Sequence, residues 1–187
     1  MSETDQIYDV RHGNERAWTY IVQQHQEAVF RLTYLLVGDV DAAEDIAQET
    51  FIRAFYALPR FDPTRPLRPW LLQIAKNLAY NRRRSVQRYM AALGRWWQAA
   101  PRQAEPPGVT VLQEQAAQEL WQAVQQLQRS DQEVIYLRYF LDLSVADTAM
   151  TLGIAEGTVK SRLSRALVRL RTLVLREFPD LHKEGVA

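Results

Sequence analysis

Apolar positions along this chain recur at helical spacing. Leu71, Ile74, Ala75 and Leu78 fall at i, i+3, i+4 and i+7, which predicts an amphipathic helix from Leu67 to about Tyr89. Its opposite face carries Gln73, Lys76, Asn77, Tyr80, Arg83 and Arg84. Upstream, Glu15 to Val37 reads as helix with a break near His25, and Gly38-Asp39 ends it and starts another. Asp41 and Glu44 form a capping-box-like pair that opens a helix to about Leu58, where Pro59 stops it. On that helix Ala43, Ala47, Phe51, Ala54, Phe55 and Leu58 are predicted to face inward. At 100° per residue, Asp45, Gln48, Glu49, Ile52 and Tyr56 gather within roughly 100° of arc on the other side.

Beyond the loop at Arg60 to Pro66 and the cationic helix, Gly94 to Thr110 carries Pro101, Pro106, Pro107 and Gly108, the composition of a tether. Val111 to Leu127 reads as helix, and Ser130 with Glu133 forms a second capping box opening a helix to about Leu141. Ser144 caps a short helix to Leu152, followed by the turn Gly153-Ile154-Ala155 and a long helix from about Glu156. This is the pattern of a helix-turn-helix. Ala149 is small where the helices cross, Gly153 can adopt the left-handed conformation that ends the first helix, and Ile154 fills the corner. Val159, Leu163, Ala166, Leu167, Leu170 and Val174 form the buried stripe of the second helix. Thr158, Ser161, Arg162 and Arg165 point away from it, with Lys160 and Ser164 on its flank. The expected fold is all-α: two small helical domains, residues 1–94 and 111–187, joined by a flexible linker at 95–110.

Composition agrees. Seven glycines and eight prolines in 187 residues compare with about 13 and 9 at average usage, and scarce glycine favours helices over turn-rich sheets. With 47% hydrophobic and 24% charged residues the chain has ordinary globular composition. No apolar run approaches the roughly 20 residues needed to cross a bilayer, so no membrane insertion is expected. The N-terminus is acidic without an apolar h-region, which makes a cytoplasmic protein the expectation. The lack of cysteine excludes disulfides, thiolate metal sites and thiol nucleophiles. His12, His25 and His182 fit no H-E-x-x-H spacing, and there is no phosphate-binding G-x-x-x-x-G-K-S/T. No catalytic residue, metal site or cofactor is therefore expected.

A net charge of +1 hides a division. Met1 to Pro59 holds 4 Arg against 10 Asp plus Glu, a net −6. Arg60 to Arg95 holds 9 Lys plus Arg against Asp62 alone, a net +8, and Gly157 to Arg176 holds 6 cations and no acid. Two separated basic patches point to a two-point grip on nucleic acid, with a pair of solvated helix faces as the plain alternative. Hydroxyl and guanidinium groups opening a helix-turn-helix second helix are the groups that read base edges and hold phosphates, although the same motif also serves as a protein-interaction scaffold. The carboxylates interleaved with Ile52 and Tyr56 suit docking onto a basic protein surface. A solvated face and a metal-dependent hydrolase site at Asp45 and Glu49 are the other readings of that stretch.

Three stretches together resemble the extracytoplasmic-function (ECF) group of bacterial RNA polymerase sigma factors. D-A-A-E-D-I-A-Q-E-T-F-I-R-A-F, Asp41 to Phe55, resembles the family's core-binding helix. P-W-L-L-Q-I-A-K-N-L-A-Y-N-R-R-R, Pro69 to Arg84, resembles its promoter-melting segment. L-G-I-A-E-G-T-V-K-S-R-L-S-R-A, Leu152 to Ala166, resembles its reader of the upstream, minus-thirty-five element. The resemblance implies that Asp45, Gln48, Glu49 and Ile52 seat the chain on the clamp helices of RNA polymerase core. It implies that Phe61, Arg65, Lys76, Asn77, Tyr80, Arg83 and Arg84 handle the opened strand, with the loop Phe61 to Leu67 taking a flipped nontemplate base. It assigns promoter DNA upstream to Thr158, Lys160, Ser161, Arg162 and Arg165. An inhibitory anti-sigma factor is a further partner common in the family. Asn81 stands where the family usually carries Asp, and Asp147-Thr148 replaces its usual Glu-Ile; Trp96-Trp97 has no place in the scheme. The alternative function is a conventional helix-turn-helix regulator with an N-terminal helical sensor domain, which would bind duplex DNA by itself.

Overall fold

The computed structural model describes residues 2–93 and 111–177, with side chains for 2–85 and 117–177. The expected linker, Trp96-Trp97 and residues 178–187 lie outside the described residues, which are helical without a strand. Contacts divide the chain into two compact units, Met1–Ala104 with Met150–Gly153, and Glu105–Ala149 with Ile154–Ala187.

The first unit begins with a helix that apolar spacing did not announce, α1 (Glu3–Arg11). Ser2 caps it reciprocally: its Oγ accepts from the Asp5 amide at 3.1 Å while its own amide donates to Asp5 Oδ2 at 2.9 Å. Those bonds hold the exposed Asp5 carboxyl below the usual carboxylate range. Ile7 and Val10 on α1 are buried. Next, α2 (Glu15–Val37) runs without the expected break, because neither glycine nor proline interrupts it and His25 is buried on its inner face. Asn14 Oδ1 caps its start, accepting from the Arg16 and Ala17 amides, and Gly38 closes it at φ +75°.

The cap of α3 (Val40–Ala57) is Asp39, whose Oδ1 accepts from the Ala42 amide at 2.9 Å, and not the expected Asp41. Once Gly38 has turned the chain, Asp39 is the extended residue at the cap, and Asp41 falls inside the first turn, where its charge suits the helix dipole. The inward stripe also needs correcting. Ala43, Ala47, Phe51, Ala54 and Leu58 are buried, as are Ile46 and Thr50, but Phe55 is 45% exposed, resting edge-on against Trp18. A 3-10 turn, Leu58–Arg60, leads through a loop to α4 (Leu67–Leu93). Ile21, Val29, Leu32, Leu58, Leu67, Leu71 and Leu72 are withdrawn from water, each contributing roughly 1.5–3 kcal/mol of burial free energy. Ile46 on α3 packs with Leu78 and Ala79 of α4 under Leu36 and Val37 of α2, fixing the three helices to one another.

C-terminal to these come α5 (Val111–Gln126), α6 (Arg129–Ile135), a π-helical turn at Tyr136–Phe140, α7 (Val145–Leu152) and α8 (Glu156–Glu177), all of the second unit except Met150–Leu152 of α7. Ser130 is not the cap of α6; Gln128, one position before the helix, is, without a side-chain cap bond. The segment does not continue as α-helix to Leu141 either, since the Leu141 amide reaches five residues back to Tyr136 O at 3.0 Å. That wider turn seats Tyr136 and Phe140 against Trp121, with ring centroids 5.6–5.7 Å apart, and Tyr136 Oη accepts from Gln125 Nε2 at 2.9 Å.

Candidate functional site

Ser144 caps α7 as expected: its Oγ accepts from the Asp147 amide at 2.9 Å and donates to Asp147 Oδ2 at 2.7 Å. Thr148, in the place of an apolar residue, is fully buried, and its hydroxyl donates to Ser144 O at 2.8 Å, so the polar atom is satisfied. Gly153 stands at φ +70° and the Ile154 amide bonds back to Ala149 O at 3.0 Å, which closes α7 and aims α8 away. Val159 and Ala166 are fully buried and Leu163, Leu170 and Val174 half-buried, but Leu167 is 37% exposed and leaves the predicted stripe. The first turns of α8 expose Lys160, Ser161 and Arg165 to solvent and Thr158 and Arg162 in part. Arg165 Nε donates to Ser161 O at 3.2 Å, a bond that a phosphate or base edge can replace.

Behind this surface lies a clamp that sequence reasoning missed. Asp131 on α6, 1% exposed, accepts from Arg169 Nη1 of α8 at 2.5 Å and from Gln128 Nε2 at 3.1 Å. The signal was present but mute, because Arg169 is counted in the cationic run and nothing local marks Asp131 as its partner.

In the first unit, α3 exposes Asp45, Gln48, Ile52 and Tyr56, the last two 52% and 78% exposed. Glu49 is half-buried and paired with Arg53 one turn on at 2.6 Å. The predicted docking residues thus share one open face, joined by Phe55. On α4, Asn77, Asn81, Arg82, Arg83 and Arg84 are exposed and Tyr80 half-buried, while Lys76 is only 9% exposed. Asn81, in the place of the family's usual Asp, faces solvent. Among the described residues no group of three or more His, Asp or Glu side chains is placed to hold a metal ion, and no helix is long and apolar enough to cross a membrane.

The loop entering α4 is the most tightly built part of this surface. Phe61 is buried, its ring 4.5 Å from that of Trp70, so here it anchors the loop, while Arg65 stays exposed. Asp62 Oδ1 accepts from the Thr64 amide at 3.0 Å and hydroxyl at 2.7 Å; these bonds, with Arg65 and Arg11 nearby, keep its carboxyl below the ordinary range. From α1, the Arg11 guanidinium donates to Leu58 O through Nε at 3.3 Å and Nη2 at 3.1 Å, and to Phe61 O. Glu3 Oε2 accepts from the amide of Leu67, the first residue of α4, at 3.0 Å. Glu3 Oε1 also lies 3.7 Å from His25 Nε2. Burial pushes the His25 pKa down and Arg68 adds to the fall, against an upward pull from Glu3.

Among the described residues, α8 exposes hydroxyls and cations in one unit, and in the other a cationic, aromatic-bearing α4 stands beside an exposed acidic face of α3, an arrangement that suits a DNA-binding protein. Residues 21–89 match the Sigma-70 region 2 family and residues 117–170 the Sigma-70, region 4 family. The ECF RNA polymerase sigma factor SigW of Bacillus subtilis (strain 168) is 34% identical over 173 residues, which cover 88% of this chain and 92% of that protein. SigL of Mycobacterium tuberculosis (strain ATCC 25618 / H37Rv), another ECF sigma factor, is 36% identical over 159 residues, covering 84% and 88%. The chain belongs to the ECF RNA polymerase sigma factors. Its fold is similar to that of CnrH, solved with the cytosolic domain of CnrY, at TM-score 0.68 and 24% identity over 94% of this chain and 98% of that one. It is similar also to RpoE, solved with the anti-sigma factor NepR from Bartonella quintana, at TM-score 0.69 and 24% identity over 85% and 97%.

Proposed function

We propose that this chain, as an ECF sigma factor, directs core RNA polymerase to its promoters through three surfaces with separate tasks. Asp45, Gln48, Glu49 and Ile52 seat α3 on the clamp helices of the polymerase. The carboxylates meet a basic surface there and Ile52, joined by Tyr56, supplies apolar contact. Asn77, Tyr80, Arg83 and Arg84, with Lys76 further in, hold the nontemplate strand as it separates; the guanidinium groups hold phosphates and the Tyr80 ring offers a stacking face, worth about 1–3 kcal/mol per base. Arg65 at the loop crest contacts a flipped base, over a loop that Phe61 anchors from inside. Thr158, Lys160, Ser161, Arg162 and Arg165 read the upstream element in a major groove. The work is done in the cytoplasm with no cofactor, and an anti-sigma factor that covers these surfaces is a partner in keeping with the family.

The observation that carries this reading is the coincidence of the two sigma-family regions with the two cationic surfaces. The test uses the purified full chain and core polymerase on a pool of templates randomised at the upstream and downstream promoter elements. Transcripts that appear only when both proteins are present, and that share sequence at both elements, support it. Tight selective binding of duplex by the chain alone overturns it in favour of the conventional regulator.

A further inference from the structure

We propose that α1 is a latch for the promoter loop, with Glu3 and Arg11 as positioning residues that set the path of the backbone between Leu58 and Leu67. The inference deepens the strand-handling role given above to that loop and rests on it.

Apart from the buried Phe61 ring, the loop holds itself with few bonds. Its own bonds are the Phe61 amide to Leu58 O at 3.1 Å, the Arg65 amide to Asp62 O at 3.1 Å, and the Asp62–Thr64 turn. Both of its ends are held from α1. Arg11, the last residue of that helix, spans two carbonyls with one planar guanidinium, Leu58 O where α3 runs out and Phe61 O where the loop begins. Glu3, the first residue, takes the Leu67 amide at the opening of α4, a donor that no earlier turn can satisfy. At 1.5 Å per residue the two groups stand about 12 Å apart along the axis of α1, so a rigid nine-residue rod brackets the loop at its two hinges. Ile7 and Val10 keep the rod in place by burial. A loop that must receive an extruded base gains affinity from being held in its binding shape beforehand, since the ordering entropy is then spent during folding.

The prediction is specific to one DNA element. With holoenzyme assembled from the full chain and transcribing the randomised template pool, Arg11→Ala lowers discrimination at the downstream element about tenfold, the scale of one charge-assisted hydrogen bond. Preference at the upstream element and affinity for core polymerase stay at wild-type values. Glu3→Gln, which keeps an acceptor and loses the charge, shifts the same preference by less, and Arg11→Lys, with one compact donor in place of a fork, recovers part of the Arg11→Ala loss. Hydrogen exchange at the Thr64, Arg65 and Leu67 amides rises in both loss variants. Faster loop exchange with unchanged downstream discrimination overturns the latch, because α1 is then only a structural support. Parallel loss at both elements together with weaker core binding overturns it as well, as a general folding defect. If wild-type holoenzyme shows no downstream preference, the loop's assigned role fails before any variant is compared, and the latch falls with it.

Discussion

Replacing Arg169 with Met should damage the reader module more than removing the acid it pairs with. The asymmetry follows from exposure: the Asp131 side chain is 1% exposed, whereas that of Arg169 is 49% exposed. Without the guanidinium the carboxylate keeps its bond from Gln128 Nε2 at 3.1 Å and remains inside the protein as an uncompensated charge. Breaking a buried pair in this way costs about 3–5 kcal/mol. The lower figure applies here, because the vacated guanidinium site is half open and water enters from that side. Asp131→Asn leaves a neutral acceptor inside and a cation that water already reaches, so the loss is about 1–1.5 kcal/mol, that of one ordinary hydrogen bond. Amide exchange in the full chain, followed over α6 and α8, reads these values locally without requiring both units to unfold together. Arg169→Met should raise exchange by about a hundredfold and Asp131→Asn by about tenfold, at tenfold per 1.4 kcal/mol. Binding of holoenzyme to the upstream element should weaken in the same order, since Arg165 lies one turn before Arg169 on α8. Equal effects, or a larger one for Asp131→Asn, would refute the argument, for they would mean that the carboxylate is hydrated and the pair behaves as a surface one.

Reversing the acidic face with Asp45→Lys and Glu49→Lys together should abolish core binding, measured by co-purification with polymerase, while circular dichroism stays helical; unchanged affinity would remove α3 from the docking surface. Arg165→Ala should weaken upstream-element binding by about 1–3 kcal/mol on the preferred sequence alone if the side chain reads a base. Uniform weakening with a salt slope reduced by about 1 marks a phosphate contact instead. For His25, the folded-state pKa lies below its ordinary value because burial disfavours the cation. The unfolded chain therefore takes up this proton first as pH falls, so stability from this group is complete above the unfolded value of about 6.5 and declines below it until the folded pKa is passed. Urea midpoints between pH 7.5 and 5.5 should fall for wild type and stay flatter for His25→Gln, in a window above that of the carboxylates, about pH 4.

The fold was legible where periodicity and composition act over long stretches. The apolar spacing of α4, the division of charge and the constraint of Gly153 on the turn are local properties that neighbours cannot reverse. What was not legible depends on those neighbours. Phe55 satisfies the spacing of the inward stripe, yet Trp18 from α2 meets it at the rim and leaves it half in water. Phe61 sits in a segment too short for periodicity, and only the approach of Trp70 shows its ring turned inward. Caps shifted at α3 and α6 for a related reason, since several Asp, Ser and Gln residues compete near each start and the conformation of the preceding turn chooses among them. The helix α1 carried its signal in Ser2 and Asp5, a pair short enough to pass as an acidic terminus.

The long-range partners of α1 bear on why the chain spends nine residues on a helix remote from either DNA patch in sequence. Under the proposed function, strand opening asks one small unit to present an acidic face to a protein and a cationic face to DNA from adjacent helices. Like charges crowded on α4 and its loop repel one another, and with 9 cations against one acid between Arg60 and Arg95 the loop has little internal charge compensation. Glu3 supplies an acid to that region from outside it, and Arg11 ties down carbonyls while leaving the side chain of Arg65 exposed. Distant residues thus share with Phe61 and Asp62 the holding of the backbone, while Arg65 stays open to solvent. Positioning groups are accordingly to be sought on the elements packed against such a loop as well as within it, because a side chain that holds the backbone is not free to bind.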